Sequence, residues 1–301
     1  MRSAGFIIKT KFSSGKVKGA HNWSPILFIS LLLCIFTVSV EAQIVAVLEP
    51  NAEPVSDLVP KLKGDLSAHL DTLDPSLVEA AFKASKHSDP YNMTSEEAKI
   101  TGSAIGCDFL LLIKTGNLRR TSFERPEYYE SFAAIYVVSS RTGRLAYWTI
   151  RNAEQRTQAE ANTKLLALIP AMALDLAATI KGAHKLEIVE HRPLNIAEPP
   201  LPGTPDAKGF IAPIPYRRIK PEYSETAYLY NVTATVEILV DLDAAGSVTR
   251  TEIVRWAGFG LDESVQKAVR TMNWRPAERD KRTLPMRVLL RYNFKKAEAK
   301  P

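Results

Sequence analysis

The chain has 301 residues, 46% of them apolar and 24% charged, a globular composition with length for two ordinary domains. Its net charge of +6 is a local feature: Arg2, Lys9, Lys11, Lys16 and Lys18 precede any acid, and without them 34 basic residues face 33 acidic ones. That balance excludes nucleic-acid binding driven by bulk charge. Two cysteines, Cys34 and Cys107, exclude a disulfide framework.

Residues 1–24 are basic, and Pro25 to Val40 are apolar except for Ser30, Thr37 and Ser39. Small residues follow in Val40-Glu41-Ala42-Gln43. This is the layout of a secretory signal cleaved after Ala42. The rival reading of residues 1–42 is an uncleaved inner-membrane anchor, for which the run is short against the usual ~20 residues. In both, the positive flank stays inside and the rest of the chain is exported.

Residues 43–184 alternate strand and helix patterns. Ile44–Leu48 and Phe109–Ile113 are solid apolar runs, read as buried strands. Leu58, Leu62, Leu66 and Leu70, with Val55, Val59 and Leu73, line one face of a helix that Pro60 kinks or delays. Thr94-Ser95-Glu96-Glu97 has the capping pattern of a helix start before Ala98–Ile105. Phe132–Val138, Arg141-Thr142-Gly143-Arg144 and Leu145–Ile150 spell a hairpin. Ala159–Ile180 reads as a helix bent or split by Pro170 and stopped at Gly182. The sum is an α/β layer domain. Its order of elements resembles small envelope α/β domains such as the N-terminal domain of TolB and curli-secretion-type lipoproteins.

No catalytic constellation stands out. His21, His69, His87, His184 and His191 have no metal-ligand spacing, and no nucleophile elbow or phosphate-binding loop occurs. Cys107 reads as a buried structural thiol. Glu96 and Glu97 are explained as helix-start acids. The cluster Arg119, Arg120, Glu124, Arg125, Glu127, Tyr128 and Tyr129 is either a binding loop or a solvated hairpin end. The expectation is a protein without enzymatic activity, cofactor or metal.

Residues 185–216 form a linker. Eight prolines fall between Pro193 and Pro221; such a chain is stiff and extended. It divides the first domain from residues 217–296, and residues 297–301 form a tail.

In that last domain Val232, Ala234, Val236, Ile238 and Val240 alternate with more polar residues as a half-buried strand. Asp241…Gly246 supplies a turn in which Gly246 is free to take a positive φ. Val248–Trp256 is a second strand whose alternation slips at Ile253 and Val254, a bulge signature. Asp262 opens a helix, with Leu261, Val265, Ala268, Val269 and Met272 on one face. A last strand carries Met286, Val288, Leu290, Tyr292 and Phe294 on one face and Arg287, Leu289, Arg291 and Asn293 on the other. One helix over a three-stranded antiparallel sheet buries both apolar faces, so the whole is α+β. Trp274 reads as core. Trp256, beside Gly258 and Gly260, reads as an exposed contact candidate.

Pro221/Tyr223, the alternating strand, Asp241…Gly246, Leu261-Asp262, Trp274-Arg275-Pro276-Ala277 and Phe294 together resemble the C-terminal domain of the TonB energy-transducer family, in order and in spacing. The departures are Ser224 in place of a second opening proline, Asn231 in place of a glycine before the first strand, a leader without the coupling histidine, and a short linker. The resemblance implies a periplasmic protein that captures an extended segment of an outer-membrane receptor, or another envelope protein, by strand addition. Energy transduction would accompany it, with inner-membrane motor proteins as partners only if the leader is uncleaved. The alternative is a non-transducing adaptor or assembly factor whose first domain is the principal binder. The docking edge implied is the last strand, with Pro221, Tyr223, Arg287, Leu289, Arg291 and Asn293 as the partner-binding residues. Arg287 and Arg291 also suit edge charges that deter aggregation, and the same edge suits a homodimer.

Overall fold

The computed structural model describes residues 43–50, 56–85, 89–189 and 196–296. The leader, with its cleavage site and Cys34, lies outside them. Described residues 43–296 belong to one compact unit.

The first half is built on a five-stranded sheet of order β2-β1-β3-β4-β5. β1 (Ile44–Leu48) runs parallel to β2 (Asp71–Thr72) and β3 (Phe109–Arg120). β3, β4 (Tyr128–Ser139) and β5 (Leu145–Gln155) form an antiparallel meander. The central strands are apolar at consecutive positions because both faces of the sheet are covered. Val45, Val47, Leu111, Ile113, Ile135 and Val137 face three helices: α1 (Leu58–Leu66), α4 (Gln158–Leu166) and α5 (Ile169–Val189). Ala46, Leu48, Leu110, Leu112, Ala134 and Tyr136 belong to a second core, shared with α2 (Pro75–Ala84), α3 (Ser95–Ile105) and the C-terminal half of the chain.

Local signals set most boundaries. Pro60 sits in the first turn of α1, where its missing N–H has no helical acceptor to lose. The Thr94/Glu97 capping box opens α3 as expected. Pro170 splits the long helix, and α4 and α5 meet at a 47° bend. Gly182 does not stop α5, which continues to Val189; one glycine costs a helix only ~1 kcal/mol. α2 was not anticipated, although Asp74 accepts from the Ser76 and Leu77 N–H groups and Pro75 holds the first helical position. Cys107 is buried, its Sγ 3.3 Å from Ser140 Oγ, and burial pushes the thiol pKa up.

The C-terminal half holds an antiparallel sheet of order β13-β8-β9, from β8 (Ala234–Leu242), β9 (Val248–Arg255) and β13 (Met286–Phe294). Ile238 pairs with Ile253 and Glu237 with Arg255, so Val254 is the extra residue of the expected bulge. Gly246 turns β8 into β9 at φ 84°, and a Cβ there would lie 2.2 Å from Trp274 O. α7 (Leu261–Arg270) buries Leu261, Val265, Ala268 and Val269 with Val236, Ile238, Val240 and Leu290. A short α6 (Glu225–Leu229) precedes the sheet. Two of the four departures from the family pattern, Ser224 and Asn231, have a local account. Ser224 Oγ accepts from Ala227 N–H at 3.0 Å, capping α6. Asn231 takes φ 53°, the left-handed region that glycine or asparagine adopts most readily.

The proline-rich stretch is laid along the C-terminal half. β6 (Phe210–Ile211) pairs with β11 (Ala277–Arg279), which also pairs with β12 (Arg282–Leu284), and β7 (Ile214–Pro215) pairs with β10 (Trp274–Arg275).

The two halves meet in a continuous seam. Trp256, expected at the surface, is fully buried: its ring lies 5.7 Å from that of Tyr136, and its Nε1–H donates to Gly143 O at 3.3 Å. Asn92 works like a short strand, donating from Nδ2 to Thr235 O (2.8 Å) and Trp256 O (2.7 Å) and accepting from Thr235 N–H (2.9 Å). Arg144 pairs with Glu252 at 2.5 Å. On the far side Glu130 accepts from Arg120, Asn152 and the Tyr230 hydroxyl; burial works to raise its carboxyl, but these donors prevail and hold it below the usual range.

Asp262 locks the loop after Trp256. Its carboxylate accepts from Ala257 N–H at 3.0 Å and Gly258 N–H at 2.9 Å. Burial outweighs those donors and pushes its pKa from 3.8 to about 7. A folded pKa above the unfolded one means that the folded state binds the extra proton between those values. The contribution of this group is therefore fully present below about pH 4 and lost as pH rises through 7. Denaturant titrations are expected to show wild type losing on the order of 1–3 kcal/mol between pH 5 and pH 8, and Asp262→Asn losing much less. An identical pH slope in both proteins would refute this.

Candidate strand-docking site

A sheet of three strands has two edges. The β9 edge meets the first half of the chain at its end, where Arg255 bridges to Thr94 and donates to Asn92 O and Glu252 is tied to Arg144; a groove of about 470 Å³ separates Arg250–Ile253 from Leu145–Trp148. The other edge is β13, paired with β8 from Met286↔Leu242 to Phe294↔Ala234.

The main chain of β13 shows which of its groups face outward. Arg287 N–H donates to Ala197 O at 2.8 Å, away from β8. In an antiparallel ladder the outward direction recurs every second residue. Leu289, Arg291 and Asn293 therefore share it, and among the described residues no main-chain partner meets them there.

Their side chains lie on the sheet face opposite α7, each beside its cross-strand partner. Arg287 clasps Asp241 at 2.6 and 2.9 Å, and that carboxylate makes the guanidinium still more basic. Arg291 Nε donates to Glu237 at 2.6 Å, and Arg255 approaches the same carboxylate at 3.5 Å. Thr235 Oγ1 donates to Asn293 Oδ1 at 2.9 Å. Leu289 faces Leu239 and is 53% exposed. The structure thus brings Leu289, Arg291 and Asn293 together at the open edge and holds Arg287 by both main chain and side chain. Pro221 is buried. Tyr223 closes the far end, stacked on Phe294 at 6.3 Å, with its hydroxyl donating to Ala227 O and Val232 O at 3.1 and 2.6 Å.

Beside the edge lies a pocket of about 530 Å³ that the sequence did not reveal, lined by Pro199, Pro213, Ile214, Pro215, Arg218, Trp274 and Val288–Leu290. Its signal was the proline density itself, which reads equally as spacer. The Arg119–Tyr129 cluster is the solvated end of the β3–β4 hairpin: Arg119 pairs with Glu127, Arg125 with Glu154, and Phe123 is fully exposed.

Residues 219–295 match the family model described as Gram-negative bacterial TonB protein C-terminal, a family of non-enzymatic protein-interaction domains. No curated protein matches the chain. Among solved structures, the chain is similar to the TonB C-terminal domain of Pseudomonas aeruginosa at 16% identity, covering 29% of this chain and 90% of that one with a TM-score of 0.26. A lipoprotein of Neisseria meningitidis matches at 15% identity, covering 45% and 98%, TM-score 0.32. A minor lipoprotein of Acinetobacter baumannii matches at 10% identity, covering 48% and 95%, TM-score 0.26. The family model spans the opening Tyr223, the bulged hairpin, α7 and the edge strand alike, so residues 219–295 of this chain are a TonB C-terminal domain.

Proposed function

We propose that this protein is an exported, periplasm-facing adaptor that captures an extended segment of an outer-membrane receptor or another envelope protein as an added strand on β13. The observation that carries the reading is the outward main chain of Leu289, Arg291 and Asn293, which meets no main-chain partner among the described residues. The β9 edge, by contrast, is bridged to the first half of the chain at Arg255 and tied to it through Glu252. Main-chain hydrogen bonds supply affinity in such a complex, and flanking side chains supply selectivity.

Whether capture is coupled to force is a further question, and two features favour the non-transducing reading. The proline-rich stretch that would give reach is paired to the domain it would tether. The seam holds the first half's sheet against the TonB-like sheet through Asn92, Tyr136, Arg144 and Trp256. On this reading the leader is cleaved after Ala42. An uncleaved anchor with motor-protein coupling is the transducing version, and mass spectrometry of the native N-terminus separates them. A second copy of the chain is a competing occupant of β13.

Leu289→Pro tests the docking. Its N–H points outward, so proline deletes the donor that β13 would offer to a ligand carbonyl while leaving the β8 ladder intact, an edge context in which strands tolerate proline. Synthetic peptides from the periplasmic segments of outer-membrane receptors are expected to bind wild type and to lose roughly tenfold or more in affinity to Leu289→Pro. Equal binding by both proteins, or by neither, would sink the proposal.

A further inference from the structure

The proline-rich stretch touches the docking edge at two places. Ala197 O accepts the Arg287 N–H, so the outward main chain at the start of β13 is already taken. A strand added to the edge therefore pairs from Leu289 towards Asn293. Pro199, Pro213, Ile214 and Pro215 then wall the pocket that opens beside Val288–Leu290. Three of those four wall residues are prolines, which have no main-chain donor to offer. Val288, Leu289, Leu290 and Trp274 complete a lining whose one charged member is Arg218, its guanidinium 5.7 Å from the Tyr292 ring centre.

The side chains of an added strand alternate between the same two faces as those of β13. The residue opposite Leu289 lies on the outer face, with Arg291 and Glu237. The residue opposite Leu290 lies on the α7 face, where the pocket opens. At about 530 Å³ the pocket is within the size range of specific ligand sites.

We propose that the proline-rich stretch is part of the recognition site: it sets the register of the captured strand at Arg287, and with Trp274 it forms a pocket that selects a large apolar side chain opposite Leu290. The partner is an extended peptide segment with leucine, isoleucine, phenylalanine or tryptophan at that position. This inference rests on strand addition to β13.

The test is a selection of random dodecapeptides on the full-length protein, followed by affinity measurements. Peptides whose binding is lost in Leu289→Pro are expected to share one large apolar residue. Changing that residue to threonine is expected to weaken binding at least about tenfold. Ile214→Asp, at a half-exposed wall position, or Pro199→Asp is expected to weaken the parent peptide similarly, with little further effect on its threonine version. Leu289-dependent peptides with no common apolar residue, or strictly additive effects of wall and peptide changes, would overturn the pocket while leaving strand addition standing. The absence of any Leu289-dependent peptide would overturn both.

Discussion

Trp256→Ala is expected to destabilise the protein by about 3–5 kcal/mol, the usual cost of deleting a buried aromatic, and to split a single unfolding transition into two. Trp256 has no exposed surface and touches both halves at once. Its ring packs on Tyr136, its indole N–H donates to Gly143 O, and its own carbonyl accepts from Asn92. A cavity here removes apolar contacts between halves that otherwise share one core. Calorimetry decides it. One transition in wild type and two in Trp256→Ala would show that the seam carries the cooperativity. A loss below about 1 kcal/mol with one transition in both would show that it does not.

Arg287→Ala is expected to cost about 3–5 kcal/mol, because it strands the buried Asp241 carboxylate. Asp241 is 2% exposed, and its carboxylate accepts from Arg287 Nε and Nη2, one oxygen to each. The pair Asp241→Leu with Arg287→Met is expected to recover most of that loss, since apolar pairs of similar volume replace buried ion pairs well. Urea titration of the two single variants and the double variant measures the coupling. If Arg287→Ala lowers peptide affinity without lowering stability, Arg287 belongs to the ligand and not to the sheet. By contrast Arg291→Ala is expected to cost less than Arg287→Ala, because its side chain is 64% exposed and the buried Glu237 carboxylate keeps Arg255 at 3.5 Å as a second partner.

The elements of the C-terminal sheet were legible because apolar residues alternate with polar ones, the apolar set turned towards α7. Alternation in β8 and β13 showed the faces, and the slip at Ile253–Val254 marked the bulge. The edge strand was legible for the same reason. What alternation hides is what lies across a face. The sequence shows Arg287 and Arg291 pointing away from the helix, but not Asp241 and Glu237 directly opposite them. Trp256 was misplaced because Gly258 and Gly260 look like a loop signal. The loop is real, and it is packed on Trp148, 2.5 Å from where a Gly258 Cβ would stand. The solid apolar runs Ile44–Leu48 and Phe109–Ile113 announced buried strands, yet composition cannot say that one cover of their sheet arrives from the other end of the chain. Prolines were read for stiffness alone, and short pairings such as Ile214 with Arg275 have no period to detect.

The shared core has a consequence for synthesis. A chain made from its N-terminus completes β4 long before Trp256 and Phe259 exist, so the face bearing Leu110, Leu112 and Tyr136 must wait for its cover. Exposed apolar sheet surface in a nascent chain is what holding chaperones recognise and what drives premature self-association. The TonB-like segment thus closes the core that the earlier strands leave open, and any message truncated before Trp256 yields a chain with an open apolar face.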